Sequence, residues 1–335
     1  MTACKALGVG LVPPMTLLAV VFSCAELRDE PRIHLEDQVA SFYLGDTLVT
    51  RYHTAAHLAK PHFHPVLGPG DVPVTRGYPM VQAQGESRDH PHQRALWFTH
   101  GDVIPEGITL SRRAKGVQGI DFWSEQPGHG RIVCVGWEPP RLVHGTVWLV
   151  TRNEWRTAEG QRVLDEVRRI GLADLSPARL LIVEIELVAS VCPIVFGDTK
   201  EGAFGIRVHD AMTERKGGVI ENALGAKTER DCWGRQADWC DYSGIVQGKH
   251  VGVALFDDRA NAYRSCWHAR AYGLMAANPF GRGKSGFPAV KGRTDLVRLA
   301  RGERLQLRYG VLVHPGDARQ GRVQEHYETF LRLRS

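Results

Sequence analysis

The stretch "GTVWLVTRNEWRTAEGQRVLDEVRRIGL", residues 145–172, decides the fold. Apolar and polar residues alternate on both sides of residues 158–160, and a period of two is the pattern of a half-buried strand. The short glycine-containing connection predicts a hairpin. The stretch "VASFYLGDTLVTRYH", residues 39–53, repeats this pattern around residues 45–46. Two distant parts of the chain therefore predict antiparallel β structure.

Further segments extend the same prediction along the chain. Alternating runs that read as strands lie at residues 131–137, 179–190, 204–210, 250–257 and 304–314. The clearest helix is predicted for about residues 320–334, where apolar residues recur at helical spacing. Many strands and few helices predict an all-β fold, a large antiparallel β-sandwich with a C-terminal helix outside one sheet. We expect one domain over residues 30–335.

Two long segments, residues 60–125 and 257–295, read as loops and carry most of the unusual residues. Long loops inside a compact domain are uncommon unless they serve a function. We therefore expect the functional site to be built from them.

The N-terminus predicts export. Residues 15–23, "MTLLAVVFS", form an apolar run, and Lys5 is the only charge before Glu26. The run is too short to span a bilayer, so residues 1–25 are predicted to be a signal peptide or a lipoprotein signal. Either cleavage follows Ala25, or Cys24 is the lipidated residue. The expected location is secreted or periplasmic, with a lipid anchor on Cys24 as the second alternative and no integral membrane span.

Composition excludes several classes of protein. The 335 residues are 43% hydrophobic and carry a formal charge of +5 that is spread along the chain. This charge is too mild to predict nucleic-acid binding. The seven cysteines include no C-x-x-C pair, which disfavours a thiolate zinc site. The chain has no G-x-S-x-G, P-loop or H-E-x-x-H motif, which disfavours serine hydrolases, NTPases and zinc proteases. The sequence leaves disulfide pairing and oligomeric state open.

The stretch "DHPHQRALWFTH", residues 89–100, concentrates titratable groups. In an extended backbone His90 and His92 point to the same side, and Pro91 favours that conformation for the residue before it. Two interpretations stay open. One is acid/base chemistry by a histidine. The other is a divalent metal site with the ligands His64, His90, His92 and His100.

Three other stretches carry polar groups beside apolar ones. "GIDFWSEQ", residues 119–126, places aromatic rings beside a carboxylate, as a sugar-binding cleft requires. "IVFGDTKEGAFGIRV", residues 194–208, sets Asp198 and Glu201 around Lys200, whose charge affects the pKa of a carboxylate base. "CWHARAYGLMAANPFGRG", residues 266–283, adds further polar and aromatic groups. Each stretch predicts part of a site.

Seven ordered motifs resemble the bacterial PmoA family, which is also called methane oxygenase-like. They are "FHPVLGPGDVPVTRGYP", "DHPHQRALWFTHGDV", "DFWSE", "FGDTKEGAFGIRV", "WGRQADWCDYSG", "GVALFD" and "YGLMAANPFG", and they cover about residues 33–330. Gln93 and Ala95 depart from the family pattern D-H-P-H-H-R-G-L-W. The resemblance implies the galactose-mutarotase-like β-sandwich superfamily, which contains sugar epimerases, polysaccharide lyases and glycosidases and uses a histidine acid with a carboxylate base.

The sequence thus predicts a carbohydrate-active protein, an enzyme using acid/base chemistry on a sugar or glycoside. The alternatives are a metal-dependent enzyme and a non-catalytic carbohydrate-binding protein. His90 or His92 is the expected acid and Glu201 or Asp198 the expected base, with Arg94 and Lys200 stabilising negative charge. The expected substrate-binding residues are His64, Arg76, Trp97, His100, Asp121, Trp123, Arg207, His268, Asn278 and Phe280. Trp97, Trp123 and Phe280 are expected to form stacking walls. No residue is assigned to a resident metal or other cofactor.

Overall fold

The computed structural model describes residues 1–2 and 30–335, so the predicted signal segment and Cys24 lie outside the described residues. The described part contains twenty β-strands and two α-helices. The helices are α1 (Thr228–Cys232) and α2 (Val323–Arg332). In chain order the strands are β1 (Pro31–Glu36), β2 (Val39–Leu44), β3 (Thr47–His53), β4 (His62–Val66), β5 (Leu96–His100), β6 (Val103–Pro105), β7 (Arg131–Trp137), β8 (Arg141–Val143), β9 (Thr146–Arg156), β10 (Arg162–Leu175), β11 (Ala178–Val188), β12 (Ile194–Phe196), β13 (Gly202–Arg207), β14 (Val219–Asn222), β15 (Trp239–Val246), β16 (Lys249–Asp257), β17 (Cys266–Ala269), β18 (Leu274–Asn278), β19 (Val297–Leu299) and β20 (Arg304–Pro315).

Two large sheets face each other. The front sheet has eight strands in the order β1-β2-β3-β4-β5-β13-β18-β17. The back sheet has nine, in the order β14-β15-β16-β20-β11-β10-β9-β7, with β8 also paired to β9. All the pairings within both sheets are antiparallel. A small third sheet has the order β19-β12-β6. The predicted antiparallel β-sandwich is confirmed.

Aromatic side chains fill the space between the sheets. Phe98 on β5 meets Trp155 on β9 with ring centroids 6.0 Å apart. Phe204 on β13 stacks on Tyr309 of β20 at 5.0 Å. All four side chains are buried in one apolar core. Their burial removes large areas of aromatic surface from water, which is the main force holding the two sheets together.

The hairpins and the C-terminal helix also match the prediction. Strands β9 and β10 pair in the register Ile170↔Leu149, and β2 pairs with β3. Helix α2 packs on the outside of the back sheet, where Tyr327 and Phe330 contact Phe256 with ring centroids 5.3 and 5.5 Å apart. It is shorter at both ends than the predicted residues 320–334.

The two segments read as loops contain five strands, which is a correction. Residues 60–125 include β4, β5 and β6, and residues 257–295 include β17 and β18. In β5, β17 and β18 every residue is buried. A strand that is covered on both faces does not alternate between apolar and polar residues, so a search for period two misses it.

In the part of the chain that the structure describes, no helix combines the length and the apolar character needed to cross a membrane.

Candidate functional site

Four strands of the front sheet present one row of residues on the face turned away from the core. Trp97 on β5 is opposite Gly205 on β13, Gly205 is opposite Ala276 on β18, and Ala276 is opposite His268 on β17. Directly opposed residues share a face of the sheet. We call Trp97, Gly205, Ala276 and His268 the central row. Its two smallest members lie in the middle, where the rings of Trp97 and Trp123 approach Gly205 so closely that an added Cβ would lie 3.0 and 3.2 Å from them; we call this part of the sheet face the trough.

Glu201 lies at the edge of this trough, immediately before β13. It is half-buried, and its carboxylate accepts no hydrogen bond from any described residue. Burial raises the pKa of this carboxyl group; the positive charge of Lys200 opposes the rise and the negative charge of Asp121 adds to it. A carboxyl group that has no protein partner and a raised pKa is able to exchange a proton with a ligand.

His268 has a fixed tautomer. Its Nδ1 lies 2.9 Å from the backbone carbonyl oxygen of Lys200. A carbonyl only accepts hydrogen bonds, so Nδ1 carries the hydrogen and Nε2 carries a lone pair. The ring is buried, and Nε2 has no hydrogen-bond partner among the described residues. Burial, followed by the charges of Arg270 and Lys200, lowers the pKa of His268 to about 3, so the imidazole is neutral.

The loop before β5 brings the two predicted histidines together. The rings of His90 and His92 are 5.7 Å apart and nearly perpendicular. The ring of His90 is parallel to that of Tyr272, with centroids 4.9 Å apart. Burial, and then the positive charge of Lys60, lowers the pKa of His92 to about 3. His92 is therefore neutral near physiological pH, which argues against the expected role of proton donor and favours a role as acceptor or hydrogen-bonding group.

Asp89 holds His90 in place. One of its oxygens accepts hydrogen bonds from Arg76 at 2.5 Å and from Arg207 at 2.8 Å, while the other lies 3.1 Å from His90 Nδ1. Arg207 also lies over the Tyr272 ring at 4.7 Å. Arg76 and Arg207 are both fully buried. These two predicted binding residues thus orient the loop instead of offering free charges to a ligand.

A partly buried ion network supports the other side of the loop. Arg94 donates two hydrogen bonds of 2.8 Å to Glu125, and Lys60 lies 2.9 Å from the same carboxylate. Lys60 is fully buried and also donates to the carbonyl of Trp123 at 2.8 Å. Because Glu125 neutralises Arg94, the expected role of Arg94 in stabilising charge on a substrate is corrected to a positioning role.

Two tryptophans form the floor. The rings of Trp97 and Trp123 are 5.0 Å apart. Asp121 fixes the turn before them by accepting hydrogen bonds from the backbone N–H groups of Trp123 and Ser124 at 2.7 and 3.0 Å. Both indole rings are buried, and both Nε1 donors lack a partner in the described chain. They are a floor beneath the trough, which corrects the expected exposed stacking walls.

The remaining predicted residues do not face the trough as free groups. Asp198 accepts hydrogen bonds from the backbone N–H groups of residues 282, 284 and 285. Its carboxylate therefore holds a loop, and Glu201 is the carboxylate left for proton transfer. The Asn278 side chain donates a hydrogen bond to the backbone carbonyl oxygen of Thr199 and accepts hydrogen bonds from two backbone N–H groups of its own turn. It therefore also has a structural role.

Two further predicted residues are packed below the surface. Phe280 is fully buried and stacks on Phe196 with centroids 4.2 Å apart, so it forms no exposed wall. His100 is fully buried beside Phe280, and its Nε2 lies 2.8 Å from the carbonyl oxygen of Gly197. Both belong to the support of the turn that precedes Glu201.

The four histidines of the metal alternative are not brought together. His64 lies on β4, and its backbone carbonyl oxygen is 2.8 Å from Nε2 of His53 on β3. Burial, and then the charges of His53 and Arg51, lowers the pKa of His64 to about 4. Within residues 1–2 and 30–335, no group of three or more His, Cys, Asp or Glu side chains could hold a metal ion.

Sequence reasoning left three residues out of the site. Tyr272 and Glu125 lie inside motifs that it did quote, so their proximity to the predicted residues was a usable signal. Lys60 is a single lysine before Pro61, and nothing in the local sequence shows that its ammonium group is buried. Only the folded structure reveals it.

The chain is similar to solved structures of enzymes that act on sugars, at very low identity. The galactosidase domain of the alpha-galactosidase-sucrose kinase AgaSK is 8% identical, with 84% of this chain and 41% of that chain covered and a TM-score of 0.40. The GH36 alpha-galactosidase AgaA from Geobacillus stearothermophilus is 9% identical, with 87% and 41% covered and a TM-score of 0.39. Galactose 1-epimerase from Lactobacillus acidophilus NCFM is 7% identical, with 86% and 98% covered and a TM-score of 0.40.

These likenesses are too distant to support an argument about activity. This chain also spans only 41% of the length of each of the two galactosidase chains. No curated protein matches the sequence. The model of a family of unknown function, DUF6807, matches residues 40–328. The chain therefore belongs to the DUF6807 family. The comparisons do not support the PmoA name, which stays a prediction from the motifs.

Proposed function

From the geometry of its site, we propose that this protein is a carbohydrate-active enzyme using acid/base chemistry. The observation that carries the proposal is Glu201, a half-buried carboxyl group that accepts no hydrogen bond from the described chain and whose pKa burial raises. It stands beside the central row, where His268 also has a free acceptor atom.

A carbohydrate suits the mixture of groups at the trough. A sugar carries several hydroxyl groups, each of which both donates and accepts hydrogen bonds, so it can pair with unpaired donors and acceptors spread along one sheet face. Along this face the indole N–H groups of Trp97 and Trp123 are buried donors without a partner in the described chain, and His268 Nε2 is a buried acceptor without one. Buried polar groups without partners are costly, and a polar ligand, or the water it replaces, would satisfy them.

The roles follow from the charges. Glu201 exchanges a proton with the substrate, and exposed Lys200, whose charge already acts on Glu201, stabilises negative charge that develops there. His90 and His92 border the trough as hydrogen-bonding groups. The substrate is a sugar or glycoside, and the reaction is an epimerisation, an elimination or a hydrolysis. Export by the N-terminal segment, to the periplasm or outside the cell, is part of the proposal.

The test is a screen for activity with matched variants. Purified protein is incubated with free aldoses, followed by polarimetry, and with polysaccharides and glycosides, followed by release of reducing ends or unsaturated products. Glu201→Gln keeps the shape of the side chain and should lower turnover by about 100-fold or more. Glu36→Gln, on the exposed end of β1, is the control and should be fully active.

His92→Ala gives the second arm and should also lose turnover while its thermal unfolding shows an intact fold. Full turnover in both Glu201→Gln and His92→Ala would contradict the proposal. Saturable sugar binding with no product from any substrate would favour the non-catalytic carbohydrate-binding alternative instead.

A further inference from the structure

A single contact fixes where the proton of the neutral His268 ring lies. The Nδ1–H group donates to the carbonyl oxygen of Lys200 at 2.9 Å. The opposite nitrogen, Nε2, is therefore an acceptor with no partner in the described chain. A buried, unpaired acceptor is rare in native proteins, because burial removes the water that would otherwise satisfy it.

The same contact joins His268 to the segment that carries Glu201. The carbonyl that orients the imidazole belongs to Lys200, the residue directly before Glu201 in the chain. Asn278 holds the carbonyl of Thr199, one residue earlier, at 3.0 Å. The segment 199–201 is thus tied to β17 and β18 at two points through its backbone carbonyl groups.

We propose that His268 Nε2 is the proton acceptor of the site and that Glu201, in its protonated form, is the proton donor. The proposal rests on the proposed function and reverses the roles that the sequence suggested for histidine and carboxylate. A substrate hydroxyl gives its proton to Nε2, which becomes an imidazolium. Glu201 gives its proton to a second substrate atom and becomes a carboxylate. Solvent then takes the proton from the His268 imidazolium and protonates the Glu201 carboxylate.

Charged side chains face both groups. Arg270, Lys200 and His90 face the imidazole, and Lys200, Asp121 and Arg270 face Glu201. Burial, and then the charges of Arg270 and Lys200, keep the resting imidazole neutral. Burial and Asp121 favour the protonated carboxyl group of Glu201, while Lys200 and Arg270 oppose its protonation. Lys200 is exposed and has no ion-pair partner in the described chain, so its flexible side chain can move to admit a ligand.

Two substitutions separate proton acceptance from positioning. His268→Asn places an amide N–H near the position of Nδ1, so it keeps the bond to the Lys200 carbonyl and loses the acceptor at Nε2. His268→Gln places its amide near the position of Nε2 and loses the bond to Lys200. If His268 only positions the segment, the Asn variant keeps its activity. As a proton acceptor, His268→Asn should lose about 100-fold or more in kcat with little change in KM.

A measurement that needs no substrate tests the protonation state directly. In protein with ¹⁵N-labelled histidine, the signals absent from both His268 variants identify the His268 ring. We expect the neutral form with hydrogen on Nδ1 at neutral pH and no imidazolium until well into the acid range. A ring that carries its hydrogen on Nε2, or that is charged at neutral pH, would overturn the inference whether or not a substrate is known.

The kinetic outcomes distinguish the two proposals. Turnover that is lost in Glu201→Gln and kept in His268→Asn would overturn the role of His268 alone. Turnover that is kept in both variants would overturn the acid/base function itself.

Discussion

His62 should make the protein sensitive to mild acid. The side chain lies on β4 opposite Trp97, stacks on His53 with ring centroids 5.4 Å apart and is almost fully buried. Burial lowers its pKa from 6.5 to about 3. Between these values the unfolded chain binds a proton that the folded protein does not, so stability is lost as pH falls through this window. The linkage relation gives a loss of about 2 kcal/mol at roughly pH 5 relative to neutral pH.

The assay is urea unfolding followed by circular dichroism at several pH values from neutral down to roughly pH 5. His62→Gln removes the titrating ring. It should be less stable at every pH because packing is lost, but its stability should fall with acid by about 2 kcal/mol less than that of the wild type. His34→Gln, at an exposed position on β1, is the control. A His62→Gln variant with the same pH dependence as the wild type would refute the reasoning.

Two further predictions concern the support of the trough. Lys60→Met leaves the half-buried Glu125 with Arg94 as its one cationic partner and should cost about 1–3 kcal/mol of unfolding free energy in urea. Arg32→Met removes an exposed ion pair and should change the unfolding free energy by less than about 1 kcal/mol. Equal effects of the two substitutions would contradict the supporting role of Lys60. Gly205→Val places a side chain whose Cβ would lie 3.0 Å from Trp97 Cζ2. It should cost about 1–3 kcal/mol and alter tryptophan fluorescence, and a variant with unchanged stability and emission would disprove the close packing.

The sequence predicts the strands in which apolar and polar residues alternate. Residues 145–172 form a hairpin because one face of each strand meets the core and the other does not, and that difference is written in the residue pattern. Strands β5, β17 and β18 are buried on both faces, so their residues do not alternate and the pattern predicts loops there. Residue type identifies His100, His268 and Asn278 on these strands as candidates, but not their arrangement on a sheet.

The candidate site shows the same division. His90, His92 and Glu201 were found from residue type and spacing alone. The sequence could not show that three backbone N–H groups occupy Asp198, since these donors lie more than eighty residues away. Nor could it show that Arg94 is neutralised by Glu125. Whether a charged side chain is free depends on its partners, and these come from distant parts of the chain.

The sequence by itself determined the antiparallel sandwich, its outer helix and a set of titratable residues, because alternation and residue type are local properties. The tertiary structure alone decided which nitrogen of His268 carries the proton and which carboxyl group stands without a partner. Both depend on burial and on contacts between β13, β17 and β18, which strand pairing sets across long stretches of chain.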